Sequence, residues 1–176
     1  VNISLDGLEW KRPADILSLL NIDRTVPNVT RFFKGGTSRA KKIFSNFIRS
    51  RLKNYQKNHN QPQTDDISHM SMYLHFGQIS PLYLALKISK ANHGSDSAKA
   101  AFLEELIVRR ELAANFVYYH RDYDNFDGLP EWAKRTLNDH RKDQRPYTYT
   151  RKQLEDAKTH DPYWNAAMQE MKYTGF

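Results

Sequence analysis

Apolar residues recur along this chain at three- and four-residue steps, the spacing that gathers them on one side of a helix. Over residues 38–57, Ile43, Phe44, Phe47, Ile48, Leu52 and Tyr55 repeat in this way. The pattern predicts an amphipathic helix whose apolar stripe lies opposite a basic face. Gly35 and Gly36 ahead of it hold a helix poorly, while Thr37 or Ser38 offers an N-cap oxygen. Residues 58–66 carry too few apolar side chains to pack and predict a loop. Ser80-Pro81 sets a capping hydroxyl before a proline at the first helical position, so a short helix over 82–88 is expected, ended by Asn92-His93-Gly94.

The strongest periodicity spans 97–119, with Phe102, Leu106, Leu112, Ala113 and Phe116 on one side and charged residues around the rest. It predicts a long, half-buried helix. Residues 124–130 break the pattern, and Pro130-Glu131-Trp132 opens another short helix. Thr150-Arg151-Lys152-Gln153 has capping-box spacing, and Asp161-Pro162 repeats the cap-then-proline signal before 164–171. No run of alternating β-branched residues competes, and no repeat or heptad series is present. The expected class is all-α, packed as one irregular bundle.

Composition narrows the partners. The chain has 176 residues, 39% of them hydrophobic, enough for one sizeable core. Its formal charge of +7 favours polyanions, although a basic balance that merely maintains solubility explains that number equally well. Lys34, Arg39, Lys41, Lys42, Arg49, Arg51, Lys53 and Lys57 crowd one stretch with no acidic residue between them, which tilts the reading toward phosphate contact. No apolar run is long enough to cross a bilayer, and the opening residues lack the basic-then-apolar order of a secretion signal, so a soluble intracellular protein without a membrane partner is expected. The lack of cysteine excludes disulfides, thiolate ligands and thiol nucleophiles.

Generic catalytic motifs are weak. Gly35-Gly36-Thr37-Ser38 lacks the lysine of a phosphate loop, and the histidines never take the helical zinc spacing with glutamate, so no metal site is expected. Glu104 and Glu105 are adjacent and point about 100° apart on a helix, so at most one faces a pocket. Tyrosine and tryptophan interleaved with arginine suit stacking on bases or on a flat cofactor, though core packing explains most of them. These features alone describe a basic helical domain suited to nucleotides or nucleic acid.

Three stretches carry the reading further. Tyr73-Leu74-His75-Phe76-Gly77-Gln78-Ile79-Ser80-Pro81 resembles the "YL-x-x-G-x-x-SP" signature of the photolyase and cryptochrome family, in its class II wording. Phe102-Leu103-Glu104-Glu105-Leu106-Ile107-Val108-Arg109-Arg110-Glu111-Leu112 resembles that family's dimer-contacting helix, again in class II form. Asp161-Pro162-Tyr163-Trp164-Asn165-Ala166-Ala167-Met168, followed by Tyr173-Thr174-Gly175-Phe176, is similar to the family block that leads into "TGW". Order and spacing agree from about Gly35 onward.

The resemblance implies a light-driven deoxyribodipyrimidine photolyase of class II, in which reduced FAD passes an electron to a cyclobutane pyrimidine dimer in double-stranded DNA. It implies that Tyr55, Phe102, Arg109 and the turn of Ile67, Ser68, His69, Met70 and Ser71 face the flavin, with the turn around its pyrophosphate. Ile67 and His69 replace a threonine and an arginine of the class I turn, so backbone donors carry more of that contact. Glu105 takes the place of the glutamate that contacts the dimer bases. Val108, Arg109, Arg110 and Leu112 continue the DNA side, with Val108 where class I has a stacking tryptophan. Arg109 also suits a helical ion pair with Glu105 at i, i+4. Trp164 fits the class II tryptophan relay that reduces the flavin. Lys41 and Lys42 are expected to hold DNA phosphates.

The same resemblance implies a linker over 1–36 and a partial helical domain over 37–176. The family's antenna domain, with any antenna chromophore, and the C-terminal part of the flavin pocket lie outside these residues. A monomer is expected, and the residues alone should hold FAD weakly. A cryptochrome-like photoreceptor without repair activity and a cofactor-free nucleic-acid-binding module are the alternatives.

Overall fold

The computed structural model describes residues 17–21 and 28–175. The described residues contain helices and no strand, in agreement with an all-α class. They divide into two compact units, residues 34–148 and the residues on either side of that span, where one irregular bundle was expected. The chemistry of the junction accounts for the break: between Leu137 and Tyr147 the chain reads Asn-Asp-His-Arg-Lys-Asp-Gln-Arg-Pro, with almost nothing to bury.

In the larger unit, α1 (Thr37–Ser50) and α2 (Leu52–Asn58) occupy the span predicted as one helix. The interruption falls at Arg51. Ser50 Oγ donates to the Asn46 carbonyl at 2.8 Å, a back-bond that bends helices, and Asn54 N–H reaches the Arg51 carbonyl at 2.9 Å in a tighter turn. The start also departs from expectation. Gly36, at φ 105, is the N-cap and no side chain caps the helix; the Thr37 hydroxyl instead donates to the Gln78 carbonyl at 2.8 Å. Gln78 answers with its own side-chain oxygen, which accepts from Gly36 N–H at 2.8 Å. These bonds tie the beginning of α1 to the segment that follows α3 (Ser71–His75).

α4 (Pro81–Ser89) begins as predicted, with Ser80 as N-cap and Pro81 at the first position. Ser95 caps α5 (Asp96–Leu103), its hydroxyl accepting from Ala98 N–H at 3.2 Å. The turn between them requires glycine at Gly94: its φ is 78, and a Cβ there would stand 2.8 Å from Leu52 Cγ. From α5 the helix continues through a π-helical segment (Glu104–Arg109) into α6 (Arg110–Tyr119). A short 3₁₀ turn (Phe126–Gly128) and α7 (Glu131–Asp139) complete the unit.

The core lies entirely between Ala40 and Leu106. Phe44, Phe47, Leu52, Tyr55, Met70, Tyr73, Leu84, Ile88 and Phe102 are all buried there. Phe102 sits at its centre, with the rings of Phe44, Phe47 and Tyr55 at 5.7, 5.4 and 5.4 Å. Beyond Leu106 none of the described residues is buried. Leu112, Ala113 and Phe116, expected on a half-buried side, are exposed, Leu112 by 55% and Phe116 by 48%. Periodicity marked an apolar face that stays about half exposed among the described residues, with Phe116 meeting the His120 ring at 5.0 Å.

The smaller unit contains α8 (Arg151–Glu155) and α9 (Pro162–Thr174). The predicted capping box is formed in full, with Gln153 N–H on the Thr150 hydroxyl and the Gln153 side chain on Thr150 N–H. Asp161 caps α9, and Gly175 ends it in the left-handed region at φ 71.

Candidate functional site

α2 carries Tyr55 and the two asparagines that hold Asp66, next to the predicted turn. Tyr55 projects from it into the core, 7% exposed, edge-on to Phe47 and Phe102 and stacked on His59 at 4.9 Å. Burial, and after it the negative charge of Glu105, push the Tyr55 phenol from 10.0 to about 12. Glu105 is therefore an electrostatic neighbour of Tyr55, although it lies in the π-helical segment some fifty residues on. Its own side chain is exposed.

The neighbouring positions of α2 hold the polar turn. Asn58 Nδ2 donates to Asp66 Oδ2 at 2.6 Å and Asn54 Nδ2 to Asp66 Oδ1 at 3.3 Å. Asp65 joins Arg51 at 2.7 Å to His69 Nε2 at 2.5 Å. The chain then passes Ile67 and Ser68 and enters the left-handed region at His69, φ 54, before Met70 returns to right-handed geometry. Such an alternation turns successive N–H groups toward one side, the backbone arrangement that receives anions. Met70 is buried and anchors the turn, its N–H reaching Ser68 Oγ at 3.4 Å; Ser71 opens α3, which no side chain caps. Asp66, next to the turn, is thus held by Asn54 and Asn58 of α2, and the charge of Glu105 bears on Tyr55 of the same helix.

The residues of the π segment and α6 expected to face DNA are exposed: Val108 by 43% and Leu112 by 55%, with Arg109 and Arg110 also exposed. Arg109 does not pair with Glu105 as the i, i+4 spacing suggested. Its Nε lies 3.5 Å from Glu104 Oε1, five residues back. A π-helical turn aligns residues i and i+5, so the wider winding hands Arg109 to Glu104 and leaves Glu105 without that partner. Arg110 pairs with Glu111 at 2.8 Å.

Trp164 belongs to the smaller unit. It is 44% exposed, and its indole N–H donates to the Leu154 carbonyl at 3.4 Å, fixing α9 on α8. The same pair of helices is held by Asp156, whose carboxylate lies 3.8, 3.7 and 3.6 Å from Lys152, Lys158 and Lys172. Those ammonium groups, Lys152 foremost, hold the carboxyl below its ordinary range. Tyr149 Oη and His160 Nδ1 meet at 2.5 Å beside them.

Two open concavities, of about 490 and 460 Å³, occur in the larger unit. Neither is lined by the turn or by Glu105; the first lies along α1 alone, and the second between Ile48 of α1 and α4 with the residues that follow it. Sequence reading missed the π-helical segment and the Arg51–Asp65–His69 arrangement. For the second, the Asp65–His69 spacing inside a glycine-free polar stretch was the one legible signal. Among the described residues no group of carboxylates and imidazoles is placed to hold a metal ion, and no helix is long and apolar enough to cross a membrane.

No family model matches the chain. Among the curated proteins similar to the chain are three from different organisms, each named deoxyribodipyrimidine photo-lyase. That of Methanothermobacter thermautotrophicus is 56% identical over 143 residues, covering 81% of this chain and 31% of the relative. That of Potorous tridactylus is 38% identical over 172 residues, covering 97% and 32%. That of Oryza sativa subsp. japonica is 51% identical over 130 residues, covering 73% and 26%. The chain thus spans about a third or less of the length of the relatives it matches.

Proposed function

Over the stretch it shares with those relatives the chain belongs to the deoxyribodipyrimidine photo-lyase family, and on that premise we propose that it is the flavin- and lesion-facing piece of a class II enzyme that repairs cyclobutane pyrimidine dimers in double-stranded DNA. The observation that supports this most is that α2 holds Asp66, next to the turn of Ile67–Ser71, while its Tyr55 responds to the charge of Glu105. A dinucleotide cofactor and a lesion held together would need such neighbouring supports.

The residues present fit FAD. The pyrophosphate would rest on the turn of Ile67–Ser71, where the His69–Met70 alternation of backbone geometry suits two negative charges. Asp65, bonded to Arg51 and His69, keeps its charge occupied beside that position. Tyr55 stays protonated through the physiological range and so adds no negative charge between cofactor and Glu105. Phe102 backs Tyr55 from within the core. When bound and reduced, FAD would supply light-driven electron transfer to the dimer, with return of the electron after the ring opens.

The chain's own part is positional and electrostatic. Glu105, unpaired by Arg109, reaches the pyrimidine edges of a dimer turned out of the duplex stack. Val108 and Leu112 offer apolar surface against the extruded bases, while Arg109 and Arg110 meet the flanking phosphates. Trp164, through its readily oxidised indole, serves the relay that reduces the flavin.

The test uses the full-length protein. Purified, it should show flavin absorbance near one FAD per chain, and blue light should remove dimers from an irradiated duplex while darkness does not. Stoichiometric flavin without light-dependent dimer loss would instead support a photoreceptor, and a colourless protein that binds DNA would leave only a nucleic-acid-binding module.

A further inference from the structure

Between Arg24 and Ser95 the only acidic residues are Asp65 and Asp66, and both are engaged by side chains of α2 and its neighbours. α1 and α4 both come from this stretch, and they border the same groove. Ile48 of α1 lines it from one side; Tyr83, Leu86, Lys87 and Lys90 line it from the other, in a concavity of about 460 Å³. Two ammonium groups approach the ring of Tyr83, Lys41 at 5.1 Å and Lys87 at 5.7 Å from its centroid. Among the described residues no carboxylate lies within ion-pair distance of Lys41, Lys87 or Lys90.

Long lysine side chains on a surface are ordinarily mobile and lose that freedom when they bind. Here the aromatic ring gathers two of them by cation–π attraction without neutralising their charge. A concave basic floor with pre-gathered ammonium groups and no competing carboxylate suits a linear polyanion.

We propose that the α1–α4 groove is a second binding surface, separate from the Glu105 site, that takes the phosphodiester backbone of duplex DNA without regard to sequence or damage. The inference rests on the proposed function only for the choice of polyanion. Its role would be to hold the protein on undamaged DNA during the search for a lesion, since backbone contacts permit sliding and carry no sequence information.

Fluorescein-labelled undamaged duplex and a duplex with one dimer are titrated with the full-length protein and its Lys87→Gln/Lys90→Gln variant across a salt series. Every phosphate that the variant leaves without its lysine should flatten the slope of log affinity against log salt by about 0.9, so the variant's slope flattens by about 1 to 2. Affinity for both duplexes should fall by the same factor. An unchanged slope overturns the proposal, as does a weakening confined to the dimer-containing duplex. A weakened attachment to phosphatidylserine vesicles with DNA binding intact also overturns it. If the wild-type protein repairs no dimers yet the slope flattens, the groove stands and the repair reading fails; repair with an unchanged slope gives the converse.

Discussion

Replacing Glu105 with glutamine should move the titration of Tyr55, two positions fifty residues apart in the chain. The displacement of the phenol from 10.0 to about 12 corresponds to about 3 kcal/mol of preference for its neutral form in the folded protein. Burial is the larger cause and the Glu105 charge the smaller. Glutamine removes only the second, so the midpoint should fall by less than half of the displacement and stay above 10.0. The same shift links to stability. A folded-state pKa above the unfolded value contributes stability that is intact below pH 10 and is lost as pH rises toward 12, because the unfolded chain ionises first. Protein labelled at tyrosine ring carbons and followed by NMR over that range reads the midpoint, with Tyr55→Phe assigning the signal. A Tyr55 midpoint at the ordinary value, or one that Glu105→Gln leaves in place, would mean that the π-helical segment does not bring the carboxylate to α2.

Other outcomes follow from the packing. Phe102→Ala empties the middle of the aromatic cluster and should cost about 3–5 kcal/mol in urea unfolding. Gly94→Ala drives a methyl into Leu52 at a positive φ and should cost about 1–3 kcal/mol by the same assay; a neutral result would refute the close approach. Asp65→Asn severs exposed ion pairs and should lower stability by less than about 1 kcal/mol, yet the full-length protein should retain less flavin per chain after gel filtration, because His69 no longer has the partner that holds the turn.

Local signals were legible in the sequence where the chemistry was local. Ser80-Pro81, Asp161-Pro162 and the Thr150–Gln153 box each work within four residues, and each forms as read. The stripe of Phe44, Phe47, Leu52 and Tyr55 likewise identified the core. What was not legible depends on distant partners. The Thr37 hydroxyl, chemically competent as a cap, is taken by Gln78, which is 41 residues away. The bend at Arg51 needs the Ser50 back-bond and the Asp65 partner, neither of which periodicity can weigh. The π-helical winding changed which glutamate Arg109 meets. For Leu112 and Phe116 the pattern told which side of the helix is apolar but not what covers it. The family resemblance supplied the candidate site residues, and the structure adds the Asp66 bonds to α2 and the effect of the Glu105 charge on Tyr55.

The claim that Glu105 works on the lesion is tested most directly by the light-driven repair rate of the full-length Glu105→Gln protein at saturating dimer DNA. With flavin content equal to that of wild type, the rate should drop by about tenfold or more, as when a group that stabilises developing charge is removed. Repair at the wild-type rate would contradict the account.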